Sequence, residues 1–213
     1  MVAIIKPAAF ILVALSGSGV VSGAPFASAA PYATSTTARA SPSAPAPTLR
    51  PAPSTNTDVS FGITCDMFNS AVVAGGSAIG ASYPTPSTAQ CSSFLRGFAA
   101  GGISSAREAA MFLANMIWES DGLRTKEEYL CKQSPSACYS SYGAPNAKGD
   151  HFWGRGYIQI SWAENYIAAS QALFGDERLF QNPQLASYDE GAAWGVSFWY
   201  WKTRVHSIPS VPA

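Results

Sequence analysis

Ser105-Ala106-Arg107-Glu108-Ala109-Ala110-Met111-Phe112-Leu113-Ala114-Asn115-Met116-Ile117-Trp118-Glu119-Ser120-Asp121-Gly122 reads as one amphipathic helix with both ends marked. Ser105 and Glu108 form a capping box, and Ala109, Phe112, Leu113, Met116 and Ile117 recur at helical spacing. Gly122 is placed as the C-terminal stop. Asn115 lies one turn before Glu119 on the same side, a polar notch on an apolar helix. Glu128 follows nine positions after Glu119, in a charged stretch with Arg124, Lys126 and Glu127. About 25 residues further on comes Gly154-Arg155-Gly156-Tyr157-Ile158-Gln159-Ile160-Ser161.

Working outward, residues 66–73 carry a short apolar stripe, and residues 75–86 are Gly- and Pro-broken. A helix is expected over residues 88–99, with Phe94, Leu95 and Phe98 on its buried face and Gly101-Gly102 ending it. A Ser/Gly/Pro-rich loop spans residues 134–149. The alternation that follows predicts a short strand. Ile158 and Ile160 face the core, and Tyr157, Gln159 and Ser161 face a cleft. Helices over 163–174, stopped by Gly175, and 189–203, burying Ala192, Val196 and Trp199, complete a mainly α (α+β) domain with a small β-sheet.

The chain has 213 residues, no net formal charge and only 12% charged residues. Without a basic stripe, nucleic-acid binding is not expected. All six tryptophans lie at or after position 118; most are expected in the core, and the remainder suit stacking on sugar rings. Residues 1–23 read as an export signal, with Lys6 ahead of an apolar run at residues 10–15 that is too short to span a membrane. Residues 24–57, rich in Ala, Pro, Ser and Thr, read as an extended linker. A folded domain over 58–205 and a tail over 206–213 follow. The expected protein is secreted, monomeric and free of membrane once the signal is removed.

An even number of cysteines in an exported chain implies disulfides. Of the three pairings, the local one, Cys65–Cys91 with Cys131–Cys138, costs the least chain entropy. A zinc site is the rival. The spacings match no finger or ribbon, and His151 and His206 are the only histidines, so neither metal nor cofactor is expected.

Hydrolysis of a glycosidic bond needs one carboxylic acid to protonate the leaving oxygen and one carboxylate to act on water or carbon. Glu119, behind Ile117 and Trp118, sits against an apolar wall that disfavours its ionised form. That suits a general acid. Glu128, among charges, stays ionised and suits a base. The competing reading makes both ordinary surface glutamates.

The stretch from Glu108 to Leu123 resembles the catalytic helix of family 19 glycoside hydrolases, the plant and bacterial chitinases, whose motif runs roughly E-x-A-x-F-x-A-x-x-x-H-E-[ST]-G-G. The run Trp153-Gly154-Arg155-Gly156-Tyr157-Ile158-Gln159-Ile160-Ser161, ending in Asn165-Tyr166, is similar to that family's Y-G-R-G-P-I-Q-L-S-x-x-x-N-Y. Gln181-Asn182-Pro183 and the helix from Ala193 to Trp201 follow the same order.

The resemblance implies a lysozyme-like helical fold and inverting cleavage of β-1,4 bonds between N-acetylglucosamine units of chitin. Glu119 matches the general acid and Glu128 the general base of short-loop bacterial members. Ser161 matches the serine holding the attacking water. Gln159 and Asn165 match cleft residues, Arg155 matches the arginine of the G-R-G motif, expected to orient a carboxylate, and Tyr157 joins the binding set. Three departures stand out. The family's His before the acid is Trp118, and its Gly-Gly after it is Asp121-Gly122. Glu164 replaces a frequent aromatic residue. Finally, the sequence ends at Ala213 without an I-N-G-G-like segment, so an incomplete catalytic domain is expected. The rivals are a lysozyme-type hydrolase acting on peptidoglycan, a non-catalytic chito-oligosaccharide-binding protein, and a disulfide-linked helical domain without sugar affinity.

Overall fold

The computed structural model describes residues 60–206. The expected export signal and linker, and the expected tail beyond His206, lie outside the described residues. Helix α1 (Cys65–Ala78) starts where the Thr64 hydroxyl accepts from the Met67 N–H. Helix α2 (Thr88–Arg96) opens with a full capping box between Ser87 and Gln90. Gly97 then divides it from the single turn α3 (Phe98–Gly101), so the helix expected over 88–99 is broken, though it stops at Gly101-Gly102 as its glycines require.

The decisive helix is α4 (Ala106–Glu119). Ser105 Oγ accepts from the Glu108 N–H at 3.2 Å. The Glu108 carboxylate does not complete the box; it accepts from the Ser104 N–H and hydroxyl, both at 2.8 Å. Its other oxygen accepts from Trp201 Nε1 at 3.0 Å and contacts His206. Glu108 thus ties the helix start to the end of the described chain. Burial alone pushes its carboxyl up, but hydrogen bonds from Trp201, Ser104 and His206 outweigh that and hold it at about 2. A depressed pKa stabilises the fold above the ordinary carboxylate range, and that contribution fades as pH falls towards 2. Glu108→Ala leaves the indole and Ser104 donors unpaired. The expected loss at neutral pH is about 2–3 kcal/mol, with a melting temperature lower by roughly 5–10 °C. Thermal unfolding at pH 7 and pH 2.5 checks this, since the gap between variant and wild type narrows in acid.

Helices α5 (Tyr129–Gln133), α6 (Ala163–Phe174), α7 (Arg178–Gln181), α8 (Leu185–Tyr188) and α9 (Glu190–Tyr200) follow, and a π-helical turn, Trp201–Val205, extends α9. Helix α9 is apolar nearly all round and is buried accordingly. Trp194 and Phe198 meet Phe94 and Phe112 from α2 and α4 in one core cluster. Val196 and Trp199 face Tyr166 and Leu179 in a second. The disulfides are Cys65–Cys91 and Cys131–Cys138, as the local pairing requires. The first joins α1 to α2, and the second closes the loop beyond α5.

The expected strand over 157–161 does not form. Arg155 and Ile160 exchange both backbone hydrogen bonds, at 3.1 and 2.8 Å, in an isolated antiparallel bridge, and Glu127 pairs with Arg155 in another. The small sheet therefore shrinks to two bridges among the described residues. The cause lies in the backbone between them. Gly156 at φ 70° and Gln159 at φ 55° turn the chain back on itself within four residues, which an extended strand forbids. A Cβ on Gly156 would stand 2.7 Å from Val196 Cγ2, so the turn also depends on close approach to α9. Tyr157 and Ile160, expected on opposite faces, are both buried.

Candidate active site

Glu119 is the last residue of α4. It is half-buried, and burial pushes its carboxyl up from the usual glutamate range. Trp118, expected to wall it off, is 49% exposed. It lines an apolar groove of about 310 Å³ with Ile79, Tyr83, Ala114 and Ile117. Positions 110, 114 and 117 lie roughly opposite position 119 at 100° per residue, with Trp118 between the two sides, and Glu119 does not line this groove.

Beyond Glu119 the backbone is left-handed at Asp121 (φ 53°), Gly122 (φ 72°) and Leu123 (φ 62°). Each non-glycine in that region costs on the order of 1–3 kcal/mol. The surroundings hold it in place. Leu123 is buried, its N–H donates to Ser120 Oγ, and its carbonyl accepts from Gln90 Nε2. A Cβ on Gly122 would meet the Tyr83 ring at 2.3 Å. Four of the five positive-φ non-glycine residues described, Asp121, Leu123, Gln159 and Trp162, fall in the two segments that carry the candidate site.

Glu128 caps α5. Its N–H donates to the Gly154 carbonyl at 2.9 Å, and its carboxylate accepts from the Tyr142 hydroxyl at 2.7 Å. Burial, together with the hydrogen bond to Glu128, pushes the Tyr142 hydroxyl far up, so it remains a donor at any working pH. The Tyr142 ring lies 5.6 Å from that of Trp162, the residue after Ser161. Glu119 and Glu128 flank one loop, strapped where the Tyr129 hydroxyl donates to Asp121 at 3.1 Å.

On the other segment, Gln159 Nε2 donates to the Gly156 carbonyl, Ser161 Oγ to the Gln159 carbonyl, and Asn165 Nδ2 to the Ser161 carbonyl. Asn165 Oδ1 also accepts from Arg204 at 3.3 Å. These three side chains are partly exposed and linked in one chain of bonds.

Two residues of the expected binding set are placed elsewhere. Tyr157 is 1% exposed, in the core against Trp194. Its hydroxyl donates to Glu190 at 2.7 Å and accepts from Gln90 at 3.1 Å, which leaves no surface for a sugar. Arg155 is 0% exposed. Its Nε reaches Glu127 at 3.3 Å, and its Nη1 donates to the His151 carbonyl at 2.9 Å and to the Tyr166 hydroxyl at 3.2 Å. It orients a carboxylate rather than a ligand, and that carboxylate belongs to Glu127.

In the sequence, Glu127 stands only as a charge beside Glu128 and Trp153 only as the first residue of its motif, and Tyr142 has no role. The one usable signal was a tyrosine standing among small residues in the loop. Glu128, Cys131 and Cys138 bring possible metal ligands within 4.8 Å of one another, but the two sulfurs are bonded together and offer no thiolate.

Comparison with known proteins identifies the family. The Glyco_hydro_19 family model, described as chitinase class I, matches residues 76–213. The chain is 31% identical over 157 residues to an endochitinase, CHI, from Arabidopsis thaliana, covering 68% of this chain and 53% of that protein. To acidic endochitinase SP2 from Beta vulgaris it is 34% identical over 109 residues, covering 48% of this chain and 35% of that protein. The chain thus spans about half the length, or less, of these relatives. Inactive chitinase-like protein 1 from Hevea brasiliensis is 39% identical over 85 residues, 40% of this chain and 26% of that protein. The crystal structure of chitinase C from Streptomyces griseus HUT6037 superposes with a TM-score of 0.50 at 31% identity, covering 69% of each chain. With its matched span and its helical fold in agreement, the chain belongs to glycoside hydrolase family 19, the class I chitinases.

Proposed function

We propose that this chain is a secreted endochitinase that hydrolyses β-1,4 links between N-acetylglucosamine units by an inverting acid/base route. Glu119 protonates the departing sugar oxygen. Glu128, steadied by Tyr142 and assisted by Ser161, removes a proton from water on the opposite face of the ring. The observation that carries the reading is the contrast between the two carboxylates. Burial raises Glu119, whereas Glu128 already accepts a hydrogen bond from a tyrosine that stays protonated. Gln159 and Asn165 serve as cleft contacts. Secretion rests on the leader-like residues 1–23. Among the described residues, no helix is long and apolar enough to cross a membrane.

A general acid must be protonated to work, so a raised pKa extends activity upward in pH. The alkaline limb of kcat/KM is expected above the ordinary glutamate range, and a limb at or below that range contradicts the assignment.

The test of substrate compares reducing ends released from colloidal chitin with turbidity lost by bacterial walls. Chitin cleavage is expected. Clearing of walls without chitin products transfers the reading to peptidoglycan. The similarity to an inactive chitinase-like protein favours one second reading, a sugar-binding protein without turnover. Calorimetric binding of chito-oligosaccharides with no product after prolonged incubation would establish it.

A further inference from the structure

We propose that Glu127 is a positioning residue for Glu128, held inward by buried Arg155 and Trp153 so that the neighbouring carboxylate is directed to the opposite side of the backbone. The inference rests on Glu128 being the base of the reaction proposed above. The segment 126–128 pairs antiparallel with 154–156. The Gly156 N–H donates to the Lys126 carbonyl and the Glu128 N–H to the Gly154 carbonyl, both at 2.9 Å, with Glu127 and Arg155 bridged between them. In an extended pair, successive side chains point to opposite faces. The partners follow that rule. Glu127 Oε1 accepts from Trp153 Nε1 at 2.9 Å and from Arg155 Nε at 3.3 Å, while Glu128 Oε2 accepts from Tyr142 at 2.7 Å. Anchoring one side chain fixes where the next one can go.

Arg155 makes the anchor firm. Its guanidinium is fully buried, lies 4.5 Å from the centre of the Trp153 ring, and forms a salt bridge with Glu127 at 3.3 Å. Trp153 in turn stacks on His151, and His151 on Tyr139. A buried cation needs a fixed counter-charge. Glu127 supplies it and keeps that charge from acting unopposed on Glu128. Tyr142 faces Glu128 directly, Arg155 is paired with Glu127, and Tyr166 feels Arg155 and both glutamates.

Glu127→Gln tests this, because an amide oxygen can still accept from Trp153 and Arg155 while the charge is gone. Losing a neighbouring negative charge and exposing a positive one both favour the Glu128 carboxylate. The carboxyl 13C signal of Glu128, assigned through Glu128→Gln, is expected to move in the variant. The acid limb of activity should move to lower pH, and kcat should fall several-fold with KM nearly unchanged. A Glu128 signal identical to wild type overturns the proposal whatever the activity. A moved signal in a protein whose wild type has no turnover keeps the positioning role and rejects the hydrolase reading instead. Should Glu127→Gln fail to fold, Trp153→Phe keeps the aromatic ring and both charges but deletes one donor to Glu127. A several-fold lower kcat at constant KM is then expected, and an unchanged kcat overturns the proposal.

Discussion

Glu119→Gln is expected to lower kcat on a chitin oligomer by roughly 10²–10⁴-fold, the usual contribution of a general acid, while the domain stays folded. Glutamine keeps the size of the side chain at the end of α4 but cannot release a proton to a leaving oxygen. Stability supplies an independent check with a definite sign. Burial raises the Glu119 carboxyl, so the folded state holds this proton more tightly than the unfolded chain does. Ionisation therefore opposes folding once pH rises above the ordinary glutamate range. The amide removes that opposition, so the variant should melt at the same temperature as wild type or higher at pH 7. At pH 3, where the glutamate is already neutral in both states, no gain is expected. A variant that is active, or one that is inactive because it is unfolded at both pH values, contradicts the assignment.

Arg155→Ala carries the largest expected effect on stability. The guanidinium is fully buried and holds together Glu127, the His151 carbonyl and the Tyr166 hydroxyl, so three elements lose their common donor at once. Breaking a buried charge pair from one side costs about 3–5 kcal/mol, which lowers the melting temperature of a domain this size by roughly 10 °C or more. Arg155→Lys should not restore it, because one ammonium cannot reproduce a planar fork that serves three acceptors. Thermal unfolding of both variants settles the matter; a lysine variant as stable as wild type would show that only charge is needed here.

The helices were legible where sequence and packing ask for the same thing. In α4 the cap at Ser105, the apolar stripe and the left-handed Gly122 agree. Helix α6 ends at Gly175, and both disulfides follow the short separations. The turn at 156–159 was not legible, because Ile158-Gln159-Ile160 mimics a strand's alternation. Only Gly156 hinted that the backbone would reverse. Tyr157 was misplaced for the same reason: a register inferred from a strand puts it in a cleft, whereas the turn sends it into the core beside Trp194. The carboxylates show another limit. Glu127 and Glu128 are chemically identical neighbours, and what separates them is Arg155, 28 residues later. The charge density around them spoke for solvent, but a buried guanidinium and an indole from a distant segment claim one of the pair.

The most direct measurement is the anomeric form of the first products released from an N-acetylglucosamine hexamer, followed by proton NMR before mutarotation. An acid at Glu119 protonating the leaving oxygen, with a base at Glu128 activating water on the opposite face of the ring, predicts new reducing ends in the α form. New ends in the β form, or an intact hexamer after prolonged incubation with folded protein, would contradict the account.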